Sequence, residues 1–441
     1  MKAFKIIWLG LLSVIIFLII DQYLFCPAYT FNSITPFSGD SIYNPYADAI
    51  GNKWIKCNFH AHDNCWDGIT NGKGSSNDIY NKYNSLHYCI HAISNYQRID
   101  TTHQYLPNYI SSYEHGYNIL KSHQLVLGAN TVCWKDYFFP QTLNNKQHII
   151  YCLHNTSPNG LLIINHPLLR GNYSLTDFKY LTGYSCMEVL HPSGNASALW
   201  DAALSAGRPV FIVGDDDCHN IFDSAKVGRI CTWVNVPALS ESNVLQSLRK
   251  GNCYAVAVGK DVMINERKGD DSKMPSLQQF MLKGNSIQAR FSMAANEITV
   301  SGKNGHLLYR ACNTNTVLFT LGKSEPYARI TANYKDGTQI LLNPVFRYTE
   351  LPLLQSSEGI NTKQTSWRRL VGMAVLATWF GFLLKPFLHW KQQNKLPNLS
   401  PGYEYISNLN TKNNKVWYGR PIWYFRRFFY NQSFEREDQT K

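Results

Sequence analysis

A chain of 441 residues with 44 % hydrophobic composition has room for one large domain and a smaller one, and is too apolar to be disordered. Its eleven scattered cysteines lack paired spacings, so they offer no framework for a zinc ribbon or a small disulfide scaffold. The formal net charge is +12, and many of the basic residues lie near the C-terminus: Lys385, Lys391, Lys395, Lys412, Lys415, Arg420, Arg426 and Arg427. This distribution favours a membrane surface over nucleic acid as the partner, so no nucleic acid is expected.

The first predicted element is an apolar segment at the N-terminus. Residues Ile6 to Ile20 form an almost unbroken apolar run after Lys2 and Lys5. Residues 23–26, with the sequence YLFC, lack the small side chains of a cleavage site. An uncleaved membrane anchor over residues 1–24 is therefore favoured over a cleaved signal peptide. The preceding lysines predict that the N-terminus lies in the cytoplasm.

Residues 50–260 alternate short apolar runs with amphipathic stretches. Examples are LLIINHP, from Leu161 to Pro167, and RPVFIVGDDDCH, from Arg208 to His219. Apolar runs that end in ionisable residues are typical of parallel barrel strands, whose carboxyl ends carry ligands. A helix is predicted over Ser193 to Ala206, with Gly207 as its C-cap. The pattern predicts an α/β barrel.

Residues 270–348 show a different pattern, with alternating apolar and polar residues separated by turn signals. Lys335, Asp336 and Gly337 lie between two alternating runs, which predicts a hairpin because glycine tolerates positive φ. A small antiparallel β domain is therefore expected, followed by a polar linker over residues 355–366.

A second apolar run extends from Leu370 to Leu384 and predicts a transmembrane helix over residues 367–390. A buried core helix is the alternative. With two spans, the region between them lies on the periplasmic or extracellular side of the cytoplasmic membrane, and the tail over 391–441 returns to the cytoplasm. That tail is basic and aromatic, so membrane lipid is its expected partner.

Ionisable residues recur at the predicted strand ends. His60 and His62 are two residues apart, so on a strand both side chains point to one face and can hold a single cation. Further candidates follow other strand-like runs: Glu114, His123, His166, Asp217 and His219. Buried polar groups at strand ends are unfavourable unless paired, and a divalent ion supplies that pairing. Mixed histidine and carboxylate ligands suit zinc, manganese or iron.

The order HxH, D-G, E, H, HP and D-x-H resembles the polymerase and histidinol phosphatase (PHP) superfamily across residues 55–258. The segments SALWDAALSAGRPVFIVGDDDCHN and VPALSESNVLQSLRKGNCYA look like the closing segments of PHP proteins. The resemblance implies a distorted seven-stranded (β/α) barrel. It also implies hydrolysis of phosphoesters with two or three metal ions.

The resemblance implies a ligand set as well. One ion is held by His60, His62, Glu114 and Asp217, and Glu114 bridges to a second ion held by His123 and His166. Asp67 and His219 would serve a third ion. The sequence departs from the family here, because Ser94, Asn95 and Tyr96 replace the usual Thr-Asp-His. Two ions are therefore expected, with the third position modified.

The expected activity is hydrolysis of a phosphorylated substrate by a membrane-anchored phosphoesterase, using a hydroxide activated by two metal ions. Where they are not metal ligands, His219 or Asp67 would position water or protonate the leaving group, and Tyr96 would donate to a phosphoryl oxygen. The alternative is a non-catalytic binding or scaffold module, stabilised by metal at the membrane surface. The replaced Thr-Asp-His motif keeps that alternative open.

Overall fold

The apolar runs of the sequence form short buried strands that end in polar residues. The computed structural model describes residues 2–49, 53–259, 273–350 and 359–393. Its strands are β1 (Tyr29–Thr30), β2 (Ser41–Tyr43), β3 (Lys53–Asn58), β4 (Ile90–His91), β5 (Ser112–His115), β6 (Gln124–Leu127), β7 (Leu161–Ile164), β8 (Cys186–His191), β9 (Gly194–Asn195), β10 (Phe211–Gly214), β11 (Ile230–Val236), β12 (Cys253–Ala257), β13 (Leu277–Lys283), β14 (Ser286–Ser301), β15 (Leu307–Thr320), β16 (Tyr327–Asn333), β17 (Gln339–Leu342), β18 (Val345–Tyr348) and β19 (Gly359–Ile360). Its helices are α1 (Lys2–Ile20), α2 (Ser76–Ser85), α3 (Leu143–Thr156), α4 (Leu175–Tyr180), α5 (Ser197–Ser205), α6 (Glu241–Arg249) and α7 (Thr362–Gln393).

Polar caps fix where the helices of the central region begin. The side chains of Ser75, Thr142 and Ser174 each accept the backbone N–H of the third residue of α2, α3 and α4, and that residue's side chain bonds back. Helix α5 begins at Ser197 rather than at Ser193, because Gly194 and Asn195 form β9 against β8.

One sheet has six strands and is mixed in direction. Its order is β10-β8-β7-β6-β5, and β9 pairs with β8. The β10–β8 and β8–β7 pairs are parallel, whereas β7–β6 and β6–β5 are antiparallel. Strands β7 and β10 are buried at every residue, as expected for the apolar runs LLII and FIVG.

The larger sheet has eleven strands and joins the region before residue 259 to the one after residue 273. Strand β11 pairs antiparallel with both β3 and β12, and β12 pairs antiparallel with β17. The predicted hairpin is confirmed, since β16 and β17 pair antiparallel and Gly337 between them has a φ of +83°. The strands after residue 273 thus extend the sheet that begins with β3.

No closed barrel is found among the described residues, in contrast to the predicted seven-stranded (β/α) barrel. The two sheets meet through side chains instead of a continuous ladder. Asp215 Oδ1 accepts the Phe59 N–H at 2.6 Å, and Thr232 Oγ1 accepts the Gly214 N–H at 2.9 Å. Isolated parallel bridges join Ala61 to Cys218 and Tyr96 to Glu114. The fold is mixed α/β, with several sheets and two apolar terminal helices.

The two terminal helices are long and apolar enough to cross a membrane, judged by length and composition. The stretches are Phe4–Phe25, with a mean hydropathy of 2.4, and Thr362–Lys385, with 1.2. Only 6 % of each stretch is buried, whereas a core helix would be largely covered. The helices contact each other, since Trp379 Nε1 donates to Ser13 Oγ at 3.0 Å. Most of the predicted tail, from residue 394 onward, and linker residues 355–358 lie outside the described residues.

Candidate metal centre

Seven side chains from five separate segments meet at the polar ends of the strands. We name this group the histidine–carboxylate cluster; its members are His60, His62, Glu114, His123, His166, Asp217 and His219. The two histidines of the HxH pair follow β3, Glu114 lies in β5, and His123 precedes β6. His166 follows β7, and the D-x-H pair follows β10. Five of the seven are almost fully buried, while Asp217 and His219 are partly exposed.

Glu114 lies at the centre of one half of the cluster. Its Oε1 is 2.9 Å from His123 Nδ1, 3.0 Å from His166 Nε2 and 3.3 Å from His60 Nε2. Its Oε2 is 3.3 Å from His62 Nε2. Both carboxylate oxygens thus face imidazole nitrogens, as a bridging ligand requires.

Asp217 occupies the equivalent position in the other half. Its Oδ1 is 3.2 Å from His60 Nε2, 3.4 Å from His62 Nε2 and 3.2 Å from His219 Nε2. The backbone of Asp217 has a φ of 44°, and that of His166 has 27°. Positive φ is unfavourable for side chains of this kind and is concentrated at functional sites.

The unpaired atoms of the cluster test whether a cation fits. Several buried ligand atoms have no hydrogen-bond partner: His60 Nε2, His62 Nε2, Glu114 Oε2, His123 Nε2, His166 Nδ1, Asp217 Oδ1 and His219 Nδ1. Each such atom costs about 1–3 kcal/mol when left unsatisfied. Ligand atoms of His60, His62 and Asp217 lie within 4.8 Å of one another, as do those of His60, Glu114 and His166. Two overlapping triads of nitrogen and oxygen donors therefore fit divalent metal ions.

The electrostatics of the cluster favour ionised carboxylates, and these carboxylates in turn raise the pKa of His60 well above its usual value despite its burial. Burial raises the pKa of Glu114, but the nearby imidazoles of His123 and His60 outweigh it and hold that pKa well below its usual value. The pKa of Asp217 is likewise raised by burial but held well below its usual value, mainly by His60. Burial lowers the pKa of His123 to about 4. Ionised carboxylates and a neutral imidazole are the forms that bind metal.

Two residues of the site were not predicted from the sequence: Glu188 and His191 in β8. Glu188 Oε1 lies 3.0 Å from His60 Nδ1, and its Oε2 accepts the His166 N–H at 2.6 Å. His191 Nε2 lies 3.0 Å from Asp217 Oδ2. Such partners orient metal ligands. The available signal was a glutamate inside the otherwise apolar run CMEVLH.

The aspartates beside Asp217 bond elsewhere. Asp215 accepts the Phe59 N–H, and Asp216 accepts the N–H groups of Gly228 and Ile230. Neither forms a hydrogen bond to a described histidine of the cluster, whereas Glu188 contacts His60 Nδ1.

Three residues were expected to position water or to donate a proton, and their positions differ from one another: Tyr96, His219 and Asp67. The Tyr96 ring stacks on His62 at 4.5 Å, and the His219 ring stacks on the same imidazole at 4.4 Å. Burial raises the pKa of Tyr96, so its phenol stays protonated and can donate. Asp67 is exposed, in the single helical turn Trp66–Gly68. The structure brings Tyr96 and His219 to the site, whereas the Asp67 side chain is exposed.

Comparisons with known proteins place this chain in no family. No protein-family model matches it, and no curated protein matches it. One similar solved structure is a two-domain protein from Bacteroides vulgatus containing a predicted PHP-like metal-dependent phosphoesterase, with 10 % identity and a TM-score of 0.35, covering 74 % of this chain and 92 % of that chain. Another is PsfC from Pseudomonas syringae, with 12 % identity and a TM-score of 0.35, covering 49 % of this chain and 98 % of that chain.

Proposed function

We propose that this chain is a metal-dependent hydrolase of phosphoester bonds, anchored to a membrane by α1 and α7. The observation that carries the proposal is the set of convergent, buried nitrogen and oxygen atoms around Glu114 and Asp217 that form no hydrogen bond. A purely structural role would leave such atoms hydrogen-bonded to one another. The strand-end positions of the ligands also support a distorted, open relative of the PHP barrel.

Two ions are proposed, each of zinc, manganese or iron. His60, His62, Glu114 and Asp217 would hold the first, and Glu114, His123 and His166 the second. When bound, such ions supply Lewis acidity at phosphoryl oxygens and lower the pKa of water. A third ion is not proposed, because Asp67 is exposed and the usual Thr-Asp-His is replaced by Ser94, Asn95 and Tyr96.

The remaining side chains would handle orientation and protons. Glu188 and His191 would fix the orientation of His60 and Asp217 through their 3.0 Å contacts. His219 has a side chain 25 % exposed, so its imidazole can exchange protons with solvent and protonate the leaving oxygen. The protonated Tyr96 hydroxyl would donate to a phosphoryl oxygen.

Purified full-length chain in detergent, supplied with manganese or zinc, provides the test. Turnover of generic phosphomonoesters and phosphodiesters is expected above that of a His60→Ala, Asp217→Ala double variant. Metal analysis should show less bound metal in the double variant than in the wild type, because the ligands of the first ion are removed. Equal turnover in the two proteins would refute the proposed activity.

A metal-stabilised scaffold is the second candidate, and the position of Tyr96 favours it. Its ring covers His62 at 4.5 Å, where the family motif has a histidine. A protein that binds metal and is protected by it against heat, yet hydrolyses none of a broad phosphoester panel, would support the scaffold.

The membrane topology is a separate proposal. The lysines before α1 support a cytoplasmic N-terminus and an external site. Reporter fusions at Ser357 test it, since cytoplasmic reporter activity there would place the cluster inside the cell.

A further inference from the structure

An open groove lies directly beside the histidine–carboxylate cluster. Its volume is about 720 Å³, within the range of small-molecule sites. The lining includes Trp66, Ile69, Tyr96, Tyr117, Lys121 and Trp134. We name it the aromatic groove.

The aromatic groove and the cluster share a wall. Tyr96 lines the groove, and its ring stacks on His62 at 4.5 Å and meets the edge of His123 at 5.6 Å. Gly116 lines it too, and a Cβ added there would lie 2.4 Å from His123 Cδ2. A molecule lying in the groove is therefore separated from His62 and His123 by no more than the Tyr96 ring.

The groove is preformed, yet its apolar surface is exposed. Trp66 Nε1 donates to Tyr96 O at 2.8 Å, and Tyr117 donates to Trp134 O at 3.1 Å. The two indole rings meet edge to face at 6.2 Å. Even so, Ile69 is 89 % exposed and Trp134 59 % exposed. A contiguous apolar surface of this kind marks a place where an apolar ligand binds.

A cation lies where the groove meets the cluster. Lys121 lines the groove, and its Nζ is 5.2 Å from the centre of the Tyr96 ring. Its charge can bind an anion that reaches the cluster from the groove.

The groove is also tied to the base of the N-terminal apolar helix. Lys135, the residue after Trp134, pairs with Asp21 at 2.6 Å. The buried Gln22 side chain donates to Phe139 O at 2.9 Å and to Pro140 O at 3.0 Å. If α1 spans a membrane, these contacts hold one wall of the groove close to its surface.

We propose that the substrate is an amphiphilic phosphoester, with its phosphoryl group at the cluster and its hydrocarbon chain in the aromatic groove. This inference rests on the proposed phosphoesterase function. For a monoester, water attacks phosphorus and the ester P–O bond breaks. The departing oxygen takes a proton from that water, so ROPO₃²⁻ and H₂O give ROH and HPO₄²⁻.

The test uses the full-length chain in lipid nanodiscs with manganese and a series from ethyl to decyl phosphate. The value of kcat/KM is expected to rise with chain length, by up to about fourfold for each methylene that the groove buries. In Trp134→Ala and Ile69→Ser the dependence on chain length should flatten. Leu318→Ser is the matched control, because Leu318 is 61 % exposed on β15 and should keep the wild-type slope.

A flat wild-type series, or a slope that survives both groove substitutions, would overturn the inference. Should Trp134→Ala fail to fold, Ile69→Ser tests the same wall with a side chain that packs against little.

Binding of decylphosphonate, which has no ester bond to hydrolyse, supplies a second readout. It is followed by tryptophan fluorescence, as the difference between the wild type and Trp134→Phe. Saturable binding tighter than that of methylphosphonate, with no turnover of any ester, would refute the phosphoesterase and support the ligand class. Equal turnover of all esters without saturable binding would support the phosphoesterase and refute the ligand class.

Discussion

Two of the regions that contain buried charged side chains differ in their hydrogen bonding. Between α5 and β16, Asp201 accepts two hydrogen bonds from Arg329, at 2.8 and 2.6 Å, and a third from the Tyr327 hydroxyl at 3.0 Å. Both carboxylate oxygens of Asp201 therefore accept hydrogen bonds, and the Arg329 guanidinium also lies over the Trp200 ring. In the histidine–carboxylate cluster, by contrast, the facing atoms include many without a partner.

The difference separates a structural charge from a ligand. The Asp201–Arg329 pair neutralises itself and joins a helix to a strand, so it needs no third component. The cluster brings two carboxylates together with five histidines, and several of their buried nitrogen and oxygen atoms form no hydrogen bond. A bound cation would supply a partner for these atoms. Substitutions in the two regions should therefore differ in kind, and the following experiments test that contrast.

The largest effect is expected from Asp217→Asn. Loss of a ligand carboxylate should reduce turnover by more than about 100-fold, since even groups that only orient ligands contribute 10- to 100-fold. The thermal midpoint of the metal-free protein should fall less than that of Asp201→Asn, because an asparagine oxygen can keep the 3.0 Å contact with His191 Nε2. Kinetics with manganese and thermal unfolding with chelator check both parts. A metal-free variant that loses as much stability as Asp201→Asn would assign Asp217 a structural role.

Asp201→Asn should act in the opposite way. It leaves the buried Arg329 guanidinium without a counter-charge, which destabilises the fold by about 3–5 kcal/mol whether or not metal is present. Urea unfolding measures this free energy. The matched control is Glu297→Gln, whose partner Arg310 is 56 % exposed and whose loss should change stability by about 0–1 kcal/mol. Equal effects of the two substitutions would contradict the contrast.

Removal of the metal is expected to have the next largest effect on stability. A ligand that binds only the folded state stabilises it by about 2.7 kcal/mol at a hundredfold excess over its Kd. Chelation should lower the thermal midpoint of the wild type and of Asp201→Asn, and lower that of Asp217→Asn by less, since only the ligands of the second ion are complete there. A midpoint in the wild type that is insensitive to chelator would argue against bound metal.

Much of the local structure and of the cluster could be predicted because both follow short-range rules. The run LLIINHP predicts a buried strand that ends at a ligand, and β7 with His166 matches it. The spacing of His60 and His62 places both side chains toward one site, as their shared contact with Asp217 Oδ1 confirms. The turn at Gly337 could also be predicted, because glycine tolerates the positive φ that the turn requires.

Strand pairing could not be predicted in the same way. An apolar run indicates a buried strand without indicating the direction of its neighbours. Strand β11 pairs antiparallel with both β3 and β12, so no uniformly parallel barrel forms in the described residues. Spacing also gave no sign that Asp67 lies in an exposed helical turn with a backbone φ of 52°.

Glu188 was missed because its role depends on a contact across 128 residues, with His60. In the sequence it is an isolated acid within an apolar strand. Only the pairing of β8 with β7 and β10 brings its carboxylate under the two histidines that it contacts. A buried acid inside a strand of apolar residues is thus a signal whose meaning comes from its neighbours in space.

Glu188→Gln therefore gives the smallest and most specific predicted effect. The amide keeps the shape of the side chain but removes the charge that faces His60 Nδ1 at 3.0 Å, so metal affinity should fall about 10- to 100-fold. Equilibrium dialysis with manganese measures the affinity, and excess metal should restore part of the turnover. Glu241→Gln is the control. Glu241 Oε1 accepts the Ser111 N–H at 3.1 Å, and neither residue belongs to the cluster. An affinity loss no larger than that of Glu241→Gln would leave Glu188 as a buried acid that holds the His166 backbone and nothing more.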